Sequence, residues 1–230
     1  MNFAEKVIAF NRSLEFPWTL PDGIRIMNPY AENPQALETS SLFYRKYYGD
    51  THPRKLILGI NPGRFGAGVT GIPFTDTRRL QEKCGLYMEG LNTYEPSSVF
   101  VYDLIDACGG VNAFYNQYYI SSVCPLGFVR IQDTGREVNY NYYDSKELTV
   151  AVTPFIIDSL KKQRSFGIDT RRCFCLGNNQ NYKFLVRLNQ EHHFFGEIIP
   201  LEHPRYIMQY KSGKKEDYLK KFTEILASDC

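Results

Sequence analysis

The chain has no marked excess of either charge, no Cys-x-x-Cys pair, no long apolar run and no internal repeat, and each absence narrows its role. Lysine and arginine number 27 against 25 acidic residues, a formal net charge of +2 with a pI near 8.1. Global charge therefore does not announce nucleic acid. Six cysteines stand at positions 84, 108, 124, 173, 175 and 230. Without paired spacing or a secretory signal, they read as free thiols in a reducing cytoplasm, not as disulfides or a zinc site. A four-cysteine iron–sulfur pattern is missing as well. No stretch approaches the roughly 20 apolar residues of a membrane span. We therefore expect a cytoplasmic protein, with no metal or cofactor, no membrane partner, and monomeric by default.

What the chain does have is apolar and aromatic content, 43% and 15% of 230 residues. That suffices for one substantial core, so residues 1–230 read as a single domain, with 1–50 a helical segment packed on it. Phe3, Val7, Phe10 and Leu14 recur at helical spacing and predict an amphipathic helix over residues 2–15. Prolines 17, 21, 29 and 34 make residues 17–34 an irregular connection, followed by a helix over Pro34–Tyr48. Further on, helices are expected over Ser98–Cys108, from Thr153-Pro154 to about Arg164, and over Glu216–Ala227. Strands are expected at Tyr118–Val123 and through Ile198, Ile199 and Leu201, and Gln132–Tyr143 reads as a polar loop. RRCFCLGNNQNYKFL reads as strand, turn and helix, with Cys173 and Cys175 on one strand face. Strands alternating with helices imply a parallel sheet between helical layers.

The stretch LILGINPGRFGAGVTGIPF, Leu56 to Phe74, carries the most information. Its apolar start predicts a buried parallel strand whose carboxyl end delivers Asn61 into a crevice, where open α/β sheets keep their ligands. A plain tight turn is the competing reading of Asn-Pro-Gly. Gly66 to Gly71 also matches G-x-G-x-x-G by letter, but the strand has already ended, and Ile72-Pro73 follow where a helix should open.

Asn-Pro-Gly-x-Phe-Gly, four residues, then Gly-x-Pro-Phe resembles the first motif of the SMUG group, the single-strand-selective monofunctional uracil-DNA glycosylases. SSVCPLGF, from Ser121, resembles the group's His-Asn-Leu-Cys-Pro-Leu segment. Glu202-His203-Pro204-Arg205 stands where the group has His-Pro-Ser-Pro-Arg. The resemblance runs from about Lys55 to the C-terminus. It implies a three-layer αβα sandwich around a central, mostly parallel four-stranded sheet. It also implies a metal-independent hydrolase that releases uracil and related bases from DNA in base-excision repair, leaving an abasic site. The expected partner is DNA with a damaged base, single- or double-stranded. The expected location is the cytoplasm, at the nucleoid if the source is bacterial.

Cleaving an N-glycosidic bond builds positive charge on the sugar and negative charge on the departing base. Such an enzyme needs a positioned water and a donor for the leaving anion. Asn61 is too weak a base to take a proton, yet its amide can orient water. His203 can donate to the base's developing oxyanion, a contribution of about 3 to 4 kcal/mol. Phe74 offers a stacking face worth about 1 to 3 kcal/mol per base. Those three roles follow the resemblance position by position, with Ile60, Gly63 and Ser122 as the other base-binding candidates.

Two departures bear on specificity. Ser122 stands where the group has an asparagine that pairs bidentately with uracil, and one hydroxyl cannot supply that fork. Base choice is therefore expected to broaden, toward deaminated purines such as xanthine. The second motif lacks Ser-Pro, so the wedge that fills the gap left by a flipped nucleotide is expected among Arg205, Tyr206, Ile207 and Met208, with Lys211 beside them. From Arg205 to Lys221, six basic residues face two acidic ones, a local balance of +4 suited to phosphates. Gly63 stands where thymine-excluding relatives carry a tyrosine, so room is expected beside pyrimidine carbon 5. Two rivals remain: a mismatch-specific uracil/thymine glycosylase, whose second motif begins Asn-Pro, and a DNA-lesion-binding protein without turnover.

Overall fold

The computed structural model describes residues 1–227. Among them, four strands form a parallel sheet: β2 (Arg54–Gly59), β3 (Tyr118–Ser122), β6 (Ile168–Leu176) and β7 (Glu197–Leu201), in the order β3-β2-β6-β7. Leu56, Ile57 and Leu58 of β2 are all buried. Successive strand residues point to opposite faces, so both faces of the sheet are covered, which is the sandwich predicted from the sequence.

The cover is helical. α1 (Phe3–Arg12) opens on a capping box, in which Asn2 accepts from the Glu5 amide while the Glu5 carboxylate accepts from the Asn2 amide. It turns Phe3, Val7, Ile8 and Phe10 inward and packs on α3 (Pro34–Tyr47). α6 (Pro96–Ala107), α7 (Gly110–Gln117), α8 (Lys146–Arg164), α9 (Gln180–His192) and α11 (Lys215–Ala227) complete the layers, joined by the short α2 (Pro29–Glu32), α4 (Ala67–Thr70), α5 (Thr77–Cys84) and α10 (Pro204–Tyr210).

Three expectations need correction. The connection 17–34 and the loop 132–143 both contain strands. β1 (Ile24–Met27) pairs antiparallel with β4 (Gly127–Ile131), which forms a hairpin with β5 (Glu137–Tyr140) around Gly135 in the left-handed region. This second sheet has almost no local signal, because β1 finds its partner about a hundred residues away and every residue of β5 is half-buried. Thr153-Pro154 does not start a helix either. α8 begins at Lys146, with Ser145 capping it through the Leu148 amide, and runs through Pro154. Pro154 lies on the exposed face, where water can take the carbonyl that loses its donor.

Cys84, Cys124, Cys173 and Cys175 are buried free thiols and Cys108 is partly buried. Burial pushes the Cys124 and Cys175 thiols up to about 12. Cys230 lies outside the described residues. Among the described residues no helix is long and apolar enough to cross a membrane.

Where β2 begins, a buried charge joins three layers. Arg54 is fully enclosed. Its guanidinium donates to both carboxylate oxygens of Asp50 (2.7 and 2.9 Å) and to the carbonyls of Tyr115 (2.9 Å) and His52 (3.0 Å), and lies 4.9 Å from the rings of both Phe3 and Tyr48. Removing one partner of such a group leaves the rest unpaired. Arg54→Met is expected to lower unfolding stability by about 3 kcal/mol, read as a shift of the urea midpoint at unchanged m-value.

Candidate active site

At its carboxyl end β2 passes into Ile60-Asn61-Pro62-Gly63, and β3 runs alongside so that Ser122 lies opposite Gly59. Amides of Val123 and Cys124 donate to the carbonyls of Gly59 and Ile60 (both 3.0 Å), holding the two strand ends together. Buried Asn181 adds a third tie. Its amide nitrogen donates to the carbonyls of Gly59 (3.3 Å) and Leu176 (3.0 Å), and its oxygen accepts from the Tyr142 hydroxyl (2.7 Å).

The Asn61 side chain is held by the end of β5 and the turn after it. Its oxygen accepts from the Tyr142 amide (3.1 Å) and its nitrogen donates to the Tyr140 and Pro62 carbonyls (3.3 Å each). The amide is thereby fixed in orientation, and its oxygen keeps one lone pair.

Phe74 occupies a strained position, with φ at +52°, a conformation that costs a side chain of this size about 1 to 3 kcal/mol. Thr70 enforces it: the hydroxyl donates to the Thr75 carbonyl (2.7 Å) and accepts from the Ile72 amide (3.1 Å). The ring then lies on Gly59, where a β-carbon would come within 2.8 Å of it.

His203 follows β7 and caps α10. Its Nδ1 accepts the Arg205 amide hydrogen at 3.1 Å. Burial, and secondarily the charge of Arg205, lowers its pKa to about 4. The ring is therefore neutral near pH 7, and with Nδ1 occupied as acceptor its proton sits on Nε2, a directed donor. The imidazole and the Phe74 ring are 5.7 Å apart at an interplanar angle of 47°.

Ile60, Asn61, Gly63, Phe74, Ser122, His203, Arg205 and Tyr206 all line one cavity of about 270 Å³. Two comparisons with known proteins identify the family. The family model of the uracil-DNA glycosylase superfamily matches residues 46–227. The chain belongs to that superfamily. A solved structure, the wild-type SMUG2 of Pedobacter heparinus, superposes with a TM-score of 0.97 at 53% identity, covering 99% of this chain and 98% of that one. Among curated proteins none matches the chain. The glycosylase is a hydrolase of the N-glycosidic bond, a monofunctional uracil-DNA glycosylase of base-excision repair.

Not every expected residue reaches the glycosylase's site. Ile207 does not: it is fully buried, because the α10 turn that exposes Tyr206 and Tyr210 points Ile207 into the packing against α6. The exposed apolar pair is Tyr206 with Tyr210, whose rings are 5.7 Å apart. Met208 is half-buried in an adjoining cavity with Phe65, Tyr94 and Gln209, and Lys211 is exposed beyond the end of α10. Of the basic cluster, Lys215 and Lys221 are tied to Asp103 (3.0 Å) and Glu202 (2.8 Å), while Arg205, Lys211 and Lys214 lie exposed.

The space beside Gly63 is bordered by a carboxyl. The Glu95 carboxyl sits there, 2.7 Å from where a Gly63 β-carbon would be. Glu95 gave no sequence signal beyond its place before Pro96. Asn139 and Asn141, which also line the cavity, were hidden in the unrecognised hairpin. Asn139 accepts from the Arg64 amide at 3.0 Å. Its nitrogen lies 3.9 Å from the same Gly63 position.

Gly59→Ala is expected to drive the Phe74 ring into the cavity. Such a displacement should lower kcat/KM on uracil-containing DNA about 100-fold while the far-ultraviolet circular dichroism spectrum stays native. Unchanged turnover would mean that the ring has no stacking role.

Proposed function

We propose that the cavity receives one nucleobase swung out of DNA and that Asn61, Phe74 and His203 carry its release. The observation that supports this most is the convergence of a fixed amide and a neutral, Nε2-protonated imidazole on one small cavity. Phe74 lies against the face of the base. Nε2–H of His203 donates to a carbonyl oxygen of the base, where charge gathers as the bond to the sugar breaks. A neutral donor suits an anion that forms only in the transition state, since it is already aimed and needs no proton of its own. The free lone pair of Asn61 holds a water hydrogen, turning the water oxygen toward the sugar carbon. As the bond between C1′ and the base nitrogen breaks, its electron pair leaves with the base. The water oxygen bonds C1′, and one water proton ends on the released base.

Ile60 and Ser122 border the base, and Arg205, Lys211 and the Tyr206–Tyr210 pair face the DNA backbone and the emptied stack. A histidine at the second motif favours this reading over a mismatch-specific glycosylase, whose motif begins Asn-Pro. The lesion-binding alternative differs in a measurable way. With uracil-containing single strands, Asn61→Ala is expected to reduce single-turnover cleavage by about 100-fold or more, and His203→Ala by about 100- to 1,000-fold, with DNA binding kept. Equal cleavage by wild type and Asn61→Ala would remove the amide from the mechanism, and binding without any cleavage by the wild type would favour the binding module.

Substrate range follows from Ser122 and from the polar surroundings of Gly63. A panel of oligonucleotides is expected to show release of uracil, of 5-hydroxymethyluracil within a thousandfold of uracil, and of xanthine, with cytosine left in place. Release confined to uracil would show that another group restores the missing asparagine's selectivity.

A further inference from the structure

The polar side chain nearest Gly63 is not part of the roles above. Glu95 lies just before α6, where its backbone amide donates to the buried carboxylate of Asp76 (2.8 Å). Asp76 itself caps α5 through the Arg79 amide (2.8 Å). The Glu95 side chain is thus launched from a fixed backbone into the cavity that Asn61, Phe74, Ser122 and His203 share. Two glycines make room for it: a β-carbon at Gly63 would stand 2.7 Å from Oε1, and one at Gly66 would overlap Oε2. Enclosed on that side by backbone, the carboxyl makes no hydrogen bond to any described residue. Glu95 is half-buried and its carboxyl borders the cavity, so it is free to meet a ligand that enters there.

We propose that Glu95 is a catalytic residue that contacts the flipped base as a neutral acid, donating its O–H to the carbonyl oxygen that His203 does not reach. The inference rests on the base-binding reading of the cavity. One histidine donor serves one oxygen, whereas the departing base spreads its charge over two carbonyls. A second donor on the other oxygen stabilises the same anion. The acid keeps its proton and shares it only as a hydrogen bond, so the atom balance of hydrolysis is unchanged. Ionised, the same group would set a negative charge against a leaving anion in a cavity of low dielectric, which opposes release.

The charged surroundings favour the neutral form. Asp76, with its partner Arg79 at 3.6 Å, faces Glu95 from the start of α5, and Arg205 and His203 face it from the start of α10. Arg64, next to Gly63, is engaged with the Glu137 carbonyl. Burial, followed by the charge of Asp76 and offset by Arg205, raises the Glu95 carboxyl to about 7. His203 titrates near 4, so a change in rate between pH 6 and 8.5 reports on Glu95 and not on the imidazole.

The test is single-turnover excision of uracil from single-stranded DNA between pH 6 and 8.5, by wild type, Glu95→Gln and Glu95→Ala, each with a thermal melt to establish folding. The wild-type rate is expected to fall about 10-fold or more as pH rises through 7. Glu95→Gln, a weaker donor, is expected to be slower than wild type at pH 6 but to lose the decline. Glu95→Ala is expected to be slower still and equally flat. A wild-type rate that is flat or rises with pH overturns the proposal, the rise indicating a carboxylate that takes a proton from water. A decline that persists in a folded Glu95→Gln overturns it too. A wild type inactive at every pH would instead overturn the base-binding reading, and this inference with it.

Discussion

The site depends on how the Asn61 side chain is gripped. A parallel sheet alone would deliver this residue to the end of a strand with its amide free to rotate. Here the end of β5 at Tyr140 and the turn that follows it at Tyr142 take both ends of the amide. The Asn61 side chain is thus one of the ties between the end of β2 and the second sheet. Because donor and acceptor are both engaged, the amide cannot flip, and its remaining lone pair points one way. The Tyr142 hydroxyl returns to Asn181, which also holds the end of β2, so the grip is anchored on the same strand that presents Asn61. Orientation of a weak polar group is obtained from backbone geometry, without any strong base.

The parallel core was legible because its signals are local. Three consecutive buried residues in β2, the i, i+2 pair Cys173 and Cys175 in β6, and the apolar run before His203 each announce a strand end, and the residues after two of them enter the cavity. The second sheet was not legible. β1 is four residues long among prolines, and β5 alternates weakly because it lies half-exposed over the site, so neither shows a clean period of two. With the hairpin went Asn139 and Asn141, and with it the grip on Asn61. Glu95 was hidden for another reason: its place depends on Gly63 and Gly66, about thirty residues earlier, and of these only Gly63 reads from the sequence as leaving space. Ile207 shows the opposite error. Taking Arg205 to Met208 together as wedge candidates ignores that a helical turn sends neighbours to opposite sides, one into the core and the next into solvent.

Strain and electrostatics meet at two neighbouring rings of the cavity. Phe74 is held in a left-handed conformation by Thr70, and its flat ring depends on the bare backbone of Gly59. Beside it, His203 accepts a backbone hydrogen bond that sets which nitrogen carries the proton. Neither ring is placed for stability: one stores unfavourable backbone geometry and the other takes an imidazole partly out of water. Both are tolerated because the strands beneath them, pinned by Arg54 at one end and Asn181 at the other, leave little freedom to relax.

The buried sulfurs have a separate consequence. A thiol reacts with peroxides and alkylating agents through its thiolate, and a group raised to about 12 is almost wholly protonated in neutral solution. Cys124 and Cys175 therefore behave as oily filler rather than as nucleophiles. An enzyme that must work while its template is being chemically damaged is in this respect spared by the same reagents.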